Sequence, residues 1–482
     1  MLKIEADVGL PKAPETRMTP DYVEFLKKQQ EKDTLMPVRS AVKVSELDLS
    51  GIDKKKITVF TNGIILDGNI NMQPVKDAAI FVYDGKILGI TEAAGEDFSE
   101  YTVEDLGGKY IMPGLINLHV HIPASGKPKK KPADTKKLVK LLTANKLTRL
   151  PIQPLYDKYV KAELMSGVTT IRSVGGVENY DTLTRDRIAA GKAEGPRIFA
   201  SDMAVSVPGG HMAGSLAYEA HNPGEAVAFV DKIAENKPDL IKLMITGGVL
   251  DAEKKGEPGV LRMHPDLVRA ACDEAHRLGL PVAAHVESAE GIKVALANGV
   301  DTIEHGAMPD DEVIALFKYR NAALVATISP TLPYALFDRE ISHIDETAQF
   351  NGQVVFNGVL ACAKACLENG ITVGLGTDTG CPFITHYDMW RELYNFTKFC
   401  GVSNSFALHT ATMRNAAILG KADVLGSIEP GKFADFIVSE GNPLDDLTCL
   451  RKLSAVVING RIIREPKVKK FKKTEKELDK LL

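Results

Sequence analysis

Cysteine is scarce. The six in 482 residues (Cys272, Cys362, Cys366, Cys381, Cys400 and Cys449) form no C-x-x-C pair, which excludes a disulfide-dense framework and a thiolate zinc knuckle. Cys362 and Cys366 share a helix face, where packing explains them. No apolar run approaches the ~18–20 residues of a membrane span. The first twenty residues mix both charges and contain no apolar core of a secretory signal. No strand is followed directly by G-x-G-x-x-G, so a dinucleotide site is not expected. Charge of one sign is also lacking: the net charge is -4 with 25% charged and 44% hydrophobic residues, which gives no case for nucleic-acid binding. A cytoplasmic protein with neither a nucleic-acid nor a membrane partner is expected.

The strands that are present come in two textures. From Lys56, short alternating runs (ITVFTNGIILDG, AAIFVYDGKILGI, YTVEDLGGKYIMPGL) are punctuated by glycine and aspartate turns, and similar runs return in GSIEPGKFADFIVSEG and KLSAVVINGRII. Together they predict one small β-sandwich domain built from both chain ends, over 51–112 and 424–465. The middle, 113–423, alternates buried-type strands with helical periods: INLHVH, TTIRSV, RIFASDM, LIKLMI, PVAAHVE, DTIEHG, ALVATIS and TVGLGTD. Eight such units predict an α/β fold, a (β/α)8 TIM barrel, which takes roughly 250 residues. Residues 1–50 read as an extension with one short helix over Asp21–Lys32, and the lysine-rich 466–482 as a charged C-terminal tail in a solvated helix.

In such barrels chemistry gathers at the C-terminal ends of strands. The first strand ends in His119-Val120-His121, whose period-two spacing puts both imidazoles on one side. The fourth contains Lys242, the fifth His285, the sixth ends in His305 and the eighth in Asp378. Five strands with ligand-type groups at corresponding positions point to a metal centre, because buried lysine and aspartate are rare without partners. Lys242 stands out, since an ammonium ion would be repelled by cations. It is either a structural ion pair or a neutral amine that has added carbon dioxide to become a carbamate ligand.

The order H-x-H, lysine, histidine, histidine, aspartate, with MPGLINLHVH, GVTTIRSVGG, IKLMITGGV, TIEHG, GLGTDTG, ATMRNAAILG and GSIEPGKFADFIV, resembles the amidohydrolase superfamily over about residues 56–465. The texture is similar to its imidazolonepropionase-like branch, which includes prolidase-type Xaa-Pro and Xaa-Arg dipeptidases and ochratoxin-hydrolysing amidases. The resemblance implies two divalent ions, zinc first with manganese, iron or cobalt as alternatives. His119 and His121 would hold one, His285 and His305 the other, N6-carboxylated Lys242 would bridge them, and Asp378 would be ligand and base. His211, in SVPGGHMAG, would hold the substrate carbonyl or carboxylate. The implied reaction is cleavage of an amide C–N bond in a small molecule, a dipeptide or N-acyl amino acid, by a metal-bridged hydroxide. The alternatives are a mononuclear cyclic amidase or deaminase of imidazolonepropionase type and a catalytically inactive scaffold. A homo-oligomer is left open.

The chain departs from the pattern at Asn117 and Ser173, where many relatives carry aspartate, and at Val286-Glu287 after His285. His386 lies close enough to the eighth loop to be a candidate. His221, His264, His276, His343 and His409 read as surface or packing residues, and Lys127–Lys131 as a solvated loop bordering the mouth that could attract acidic substrates.

Overall fold

A computed structural model of the chain describes residues 41–129 and 134–482. The helix expected over Asp21–Lys32 lies outside the described residues, as do Lys130 and Lys131 of the lysine run.

The barrel strands are Leu115–Val120, Val168–Ser173, Arg197–Phe199 with Ala204–Ser206, Ile241–Met244, Val282–Val286, Thr302–His305, Ala323–Ala326 and Val373–Leu375. Neighbours pair in parallel throughout. Their residues are almost all buried, as expected for strands covered on both faces. The connecting helices begin where sequence chemistry puts them. Asn222 accepts from Glu225 N–H ahead of Pro223, and Ser288, Asp310 and Asp345 cap the next helices in the same way.

The third station differs from the continuous run expected from RIFASDM. Arg197–Phe199 pairs with the second strand, whereas Ala204–Ser206 pairs with the fourth. Between them Asp202 takes a left-handed φ of 55°, and its carboxylate accepts from the N–H and Oγ1 of Thr182 (both 2.9 Å). That side-chain anchorage holds the kink that a regular ladder would forbid.

The ring closes at the first and eighth strands. Asp378 N–H donates to His119 O (2.9 Å) and His121 N–H to Thr379 O (2.8 Å). Asn117 completes the seam: its Oδ1 accepts from Thr377 N–H (3.0 Å) and its Nδ2 donates to Thr377 Oγ1 (2.8 Å). An amide both gives and accepts here, which an ionised aspartate could not do.

The two chain ends meet in a separate eight-stranded sheet. Thr58–Ile65, Val75–Tyr83, Lys86–Glu92, Thr102–Asp105 and Tyr110–Pro113 join Phe436–Ser439, Ala455–Ile458 and Arg461–Arg464. The ends are stitched by antiparallel pairing of Phe436–Ser439 with Tyr110–Pro113. The edge strand Lys86–Glu92 returns to the segment before Phe436, with Ile87 N–H donating to Lys432 O (2.9 Å). The sheet thus rolls around Phe60, Ile80, Val82, Phe436 and Val457.

The tail is not the solvated helix expected. Lys472–Leu478 docks on the barrel with Thr474, Glu475, Leu478 and Leu481 buried. Arg391 and Arg451 both donate to Glu475 and Asp479, and Phe471 N–H donates to Tyr387 Oη (2.7 Å). The same two guanidinium groups lie 4.5 and 5.7 Å from the ring centre of buried Trp390.

Candidate active site

The side chains singled out in the sequence converge at the C-terminal mouth of the barrel. His119, His121, Lys242, His285, His305 and Asp378 are all buried. Their imidazoles run in a chain, with ring centres 5.3 Å apart for His121–His119, 4.8 Å for His119–His305 and 4.7 Å for His305–His285. Asp378 Oδ1 lies 3.5 Å from His119 Nε2 and 3.3 Å from His121 Nε2. Among the described residues, His119, His305 and Asp378 bring donor atoms within 4.8 Å of one another.

Each ring spends one nitrogen on the protein. His119 Nδ1 donates to Glu304 Oε2 (2.8 Å), His121 Nδ1 to Gly175 O (2.9 Å) and His285 Nε2 to Gly247 O (3.2 Å), while His305 Nδ1 is hydrogen-bonded to Thr327 Oγ1 (2.7 Å). The other nitrogen of each is left for a ligand, the arrangement by which proteins fix imidazole tautomers at metal sites. Burial, with Lys242 nearby, pushes the His119 pKa down to about 4, and burial holds His285 and His305 well below the ordinary histidine value. Neutral imidazoles are what a cation needs.

Among these six side chains, three buried atoms have no hydrogen-bond partner: His119 Nε2, Asp378 Oδ1 and Lys242 Nζ. Burial would raise the Asp378 carboxyl, but the His119 and His121 imidazoles hold it well below the usual range. Lys242 is 1% exposed. Burial pushes its pKa down to about 8, against the attraction of Glu304 and with the help of Arg172. An orphaned carboxylate oxygen, an orphaned imidazole nitrogen and an amine whose proton burial has loosened fit a site for divalent cations better than they fit each other.

Sequence reasoning missed the supporting residues. Glu304, fully buried, accepts from Arg172 Nη2 (2.7 Å), Thr302 Oγ1 (2.9 Å) and His119. Burial alone would raise its pKa, but Arg172, His119 and Lys242 hold it well below the carboxylate range. In a regular strand Glu304 and His305 would face opposite ways. His305 instead adopts a left-handed φ of 70°, and both neighbours serve one centre. Asp378 has a similar φ of 55°. Such strained non-glycine residues gather where function over-determines the backbone. The period of two hides this pairing, so neither Glu304 nor its partner Arg172 carried a readable signal.

His211 stacks on His285 with ring centres 4.1 Å apart and planes 9° from parallel. Its Nδ1 donates to Asp251 Oδ2 (2.5 Å), which also accepts from Gly248 N–H (2.9 Å). Asp251 was not anticipated. Glu287 is nearby, its Oε2 buried and unpartnered. Burial, with Asp378 and Asp251 close by, pushes its pKa well up. His386 does not join the centre: its nitrogens bond Glu163 Oε1 (3.1 Å) and Ala124 O (2.7 Å), and its ring stacks on Tyr159. His221, His264, His276 and His343 are exposed, and His409 bonds Gly68 O (2.9 Å) in packing.

A (β/α)8 barrel with imidazoles and a carboxylate gathered at this mouth defines a barrel hydrolase. The profile of the amidohydrolase family matches residues 110–463, and the chain belongs to that family. A Bifidobacterium longum protein with a provisional prolidase assignment has a crystal structure similar to this one, with a TM-score of 0.77 and 34% identity, covering 88% of this chain and 99% of that one. A Xaa-Pro dipeptidase with methionine bound in its active site has a TM-score of 0.74 and 28% identity, covering 85% of this chain and 100% of its own. The imidazolonepropionase of Streptococcus gordonii is 25% identical over 397 residues, 77% of this chain and 86% of its own length. No helix among the described residues is long and apolar enough to cross a membrane.

Proposed function

We propose that the protein cleaves an amide C–N bond of a small molecule, a dipeptide or N-acyl amino acid, at a centre built for two divalent ions. The observation that carries this is the convergence of four singly anchored imidazoles, Asp378 and the partnerless Lys242 in one buried mouth. His119 and His121 would hold one ion, His285 and His305 the other, with Lys242 as a carbamate between them and zinc the first candidate metal. When bound, the ions polarise the scissile carbonyl and supply a nucleophile from water at neutral pH.

The chain's own groups do the rest. Asp378 Oδ1, free of hydrogen bonds, takes the proton of the attacking water and returns it to the leaving nitrogen. His211, held by Asp251 and by stacking on His285, presents its other nitrogen to the carbonyl oxygen, where negative charge develops. Lys242 as a carbamate would be an anion where an ammonium ion would oppose both cations.

A second reading is supported by Glu287. Its Oε2 is buried without a partner at the edge of the centre, and burial with Asp378 and Asp251 close by pushes its pKa well up, which suits a proton-carrying group of a mononuclear cyclic amidase or deaminase. Metal analysis combined with a screen of dipeptides, N-acyl amino acids, cyclic amides and aminopurines separates the two. About two ions per chain with turnover of the first two classes supports the binuclear amidase. About one ion with turnover of the last two replaces it.

A further inference from the structure

Beside the metal-capable centre lies a cavity of about 770 Å³. It adjoins the centre: Ala124, three residues past His121, and Gly380, two residues after Asp378 and packed against His121, both line it, as does Tyr334. Its wall is hydrocarbon, made by Leu138, Val139, Leu142, Leu155, Leu216 and Val249. The charged side chains Lys127, Lys129 and Asp345 lie at its exposed rim.

The helix Thr135–Leu142 (TKKLVKLL) is the telling part. Its apolar positions 138, 139 and 142 fall on one face, and that face lines the cavity, yet no side chain of the helix is buried. Leu138 is 40% exposed. Leu142 touches the barrel core at one edge of that face, but Leu138 stands over a void next to the reaction centre, and what completes its contact has to sit in that void. A dipeptide of small residues would leave most of this volume in water. Asp345, the one acidic residue among the described residues lining it, caps Ala348 N–H and shares the rim with Lys127 and Lys129, so nothing there favours a basic side chain.

We infer that the substrate carries a large apolar group, alkyl or aromatic, which seats under this helix while its amide bond lies at the centre. The inference rests on the amide-hydrolase reading for the reaction and on the cavity for the substrate class.

Two homologous series test it. One is acetyl-, butyryl-, hexanoyl- and octanoylglycine; the other is the N-acetyl derivatives of alanine, leucine, phenylalanine and tryptophan. In the series whose growing side enters the cavity, kcat/KM rises about threefold to fourfold per buried methylene. Leu142→Glu flattens that rise; because Leu142 also touches the barrel core, Leu138→Glu, at a position 40% exposed, is the companion variant that flattens it while leaving the thermal midpoint in place. Binding of the neutral naphthyl fluorophore prodan gives a readout independent of turnover: the parent binds it and Leu142→Glu weakens binding at least tenfold. Turnover that is flat in both series and unchanged by Leu142→Glu overturns the apolar-substrate inference and leaves amide hydrolysis standing. No turnover of any amide, with prodan binding lost in Leu142→Glu, sinks the reaction and keeps the apolar site. No turnover and equal prodan binding in both proteins sinks both.

Discussion

At the scale of single residues, Asp378 and Lys242 bear the most weight. Asp378→Asn keeps size and shape but cannot take a proton, and loss of a general base costs about 10²–10⁴-fold. A kcat fall in that range, with metal content followed alongside, is the expected outcome; activity within a few-fold of the parent removes Asp378 from the role. Lys242→Ala is expected to lose metal and activity together, and formate, acetate or bicarbonate to restore part of both by standing in for the bridging anion. Lys242→Arg is not rescued, because a guanidinium stays charged. Rescue of Arg as readily as Ala would mean that the lysine's charge does not matter. These residues were legible because each sits at or near a strand end in a run that already reads as buried. Glu304, Arg172 and Asp251 were not, because each acts through a partner on another strand or loop: Arg172 meets Glu304 130 or so residues on, and Asp251 meets His211 across two loops.

At the scale of elements, the ion pair Arg172–Glu304 ties three strands together, since Arg172 Nε also donates to Leu118 O (2.8 Å) and Glu304 reaches His119. Arg172→Met leaves Glu304 charged and buried without its counter-ion. Removing one partner of such a pair costs about 3–5 kcal/mol, so the barrel's urea transition is expected at markedly lower denaturant. An unshifted midpoint would show that the pair is dispensable. All eight apolar runs read in the sequence correspond to barrel stations. The break at Asp202 was hidden because the run RIFASDM is as hydrophobic as an unbroken strand, and what bends it is Thr182, on a neighbouring helix.

At the scale of the whole molecule, metal and fold should be linked. A centre that binds ions only when folded gains stability by mass action, so chelation is expected to lower the thermal midpoint and readdition of zinc to restore it. A midpoint indifferent to chelation would separate the centre from stability. The sheet drawn from both chain ends was visible in the alternating texture of its strands. The docking of the tail was not, because its lysines suggest solvent while the contacts that hold it depend on Arg391 and Arg451, far back in the chain. That docking also gives the molecule an optical handle. The chain has a single tryptophan, Trp390, buried beside the two arginines that grip the tail. Its emission therefore reports on this joint as well as on the core it packs in: deleting 468–482 takes Glu475 and Asp479 from both guanidinium groups, leaving Arg391 only Asp388, admits water to the indole and shifts the fluorescence to the red, so the release of the tail can be followed without any label.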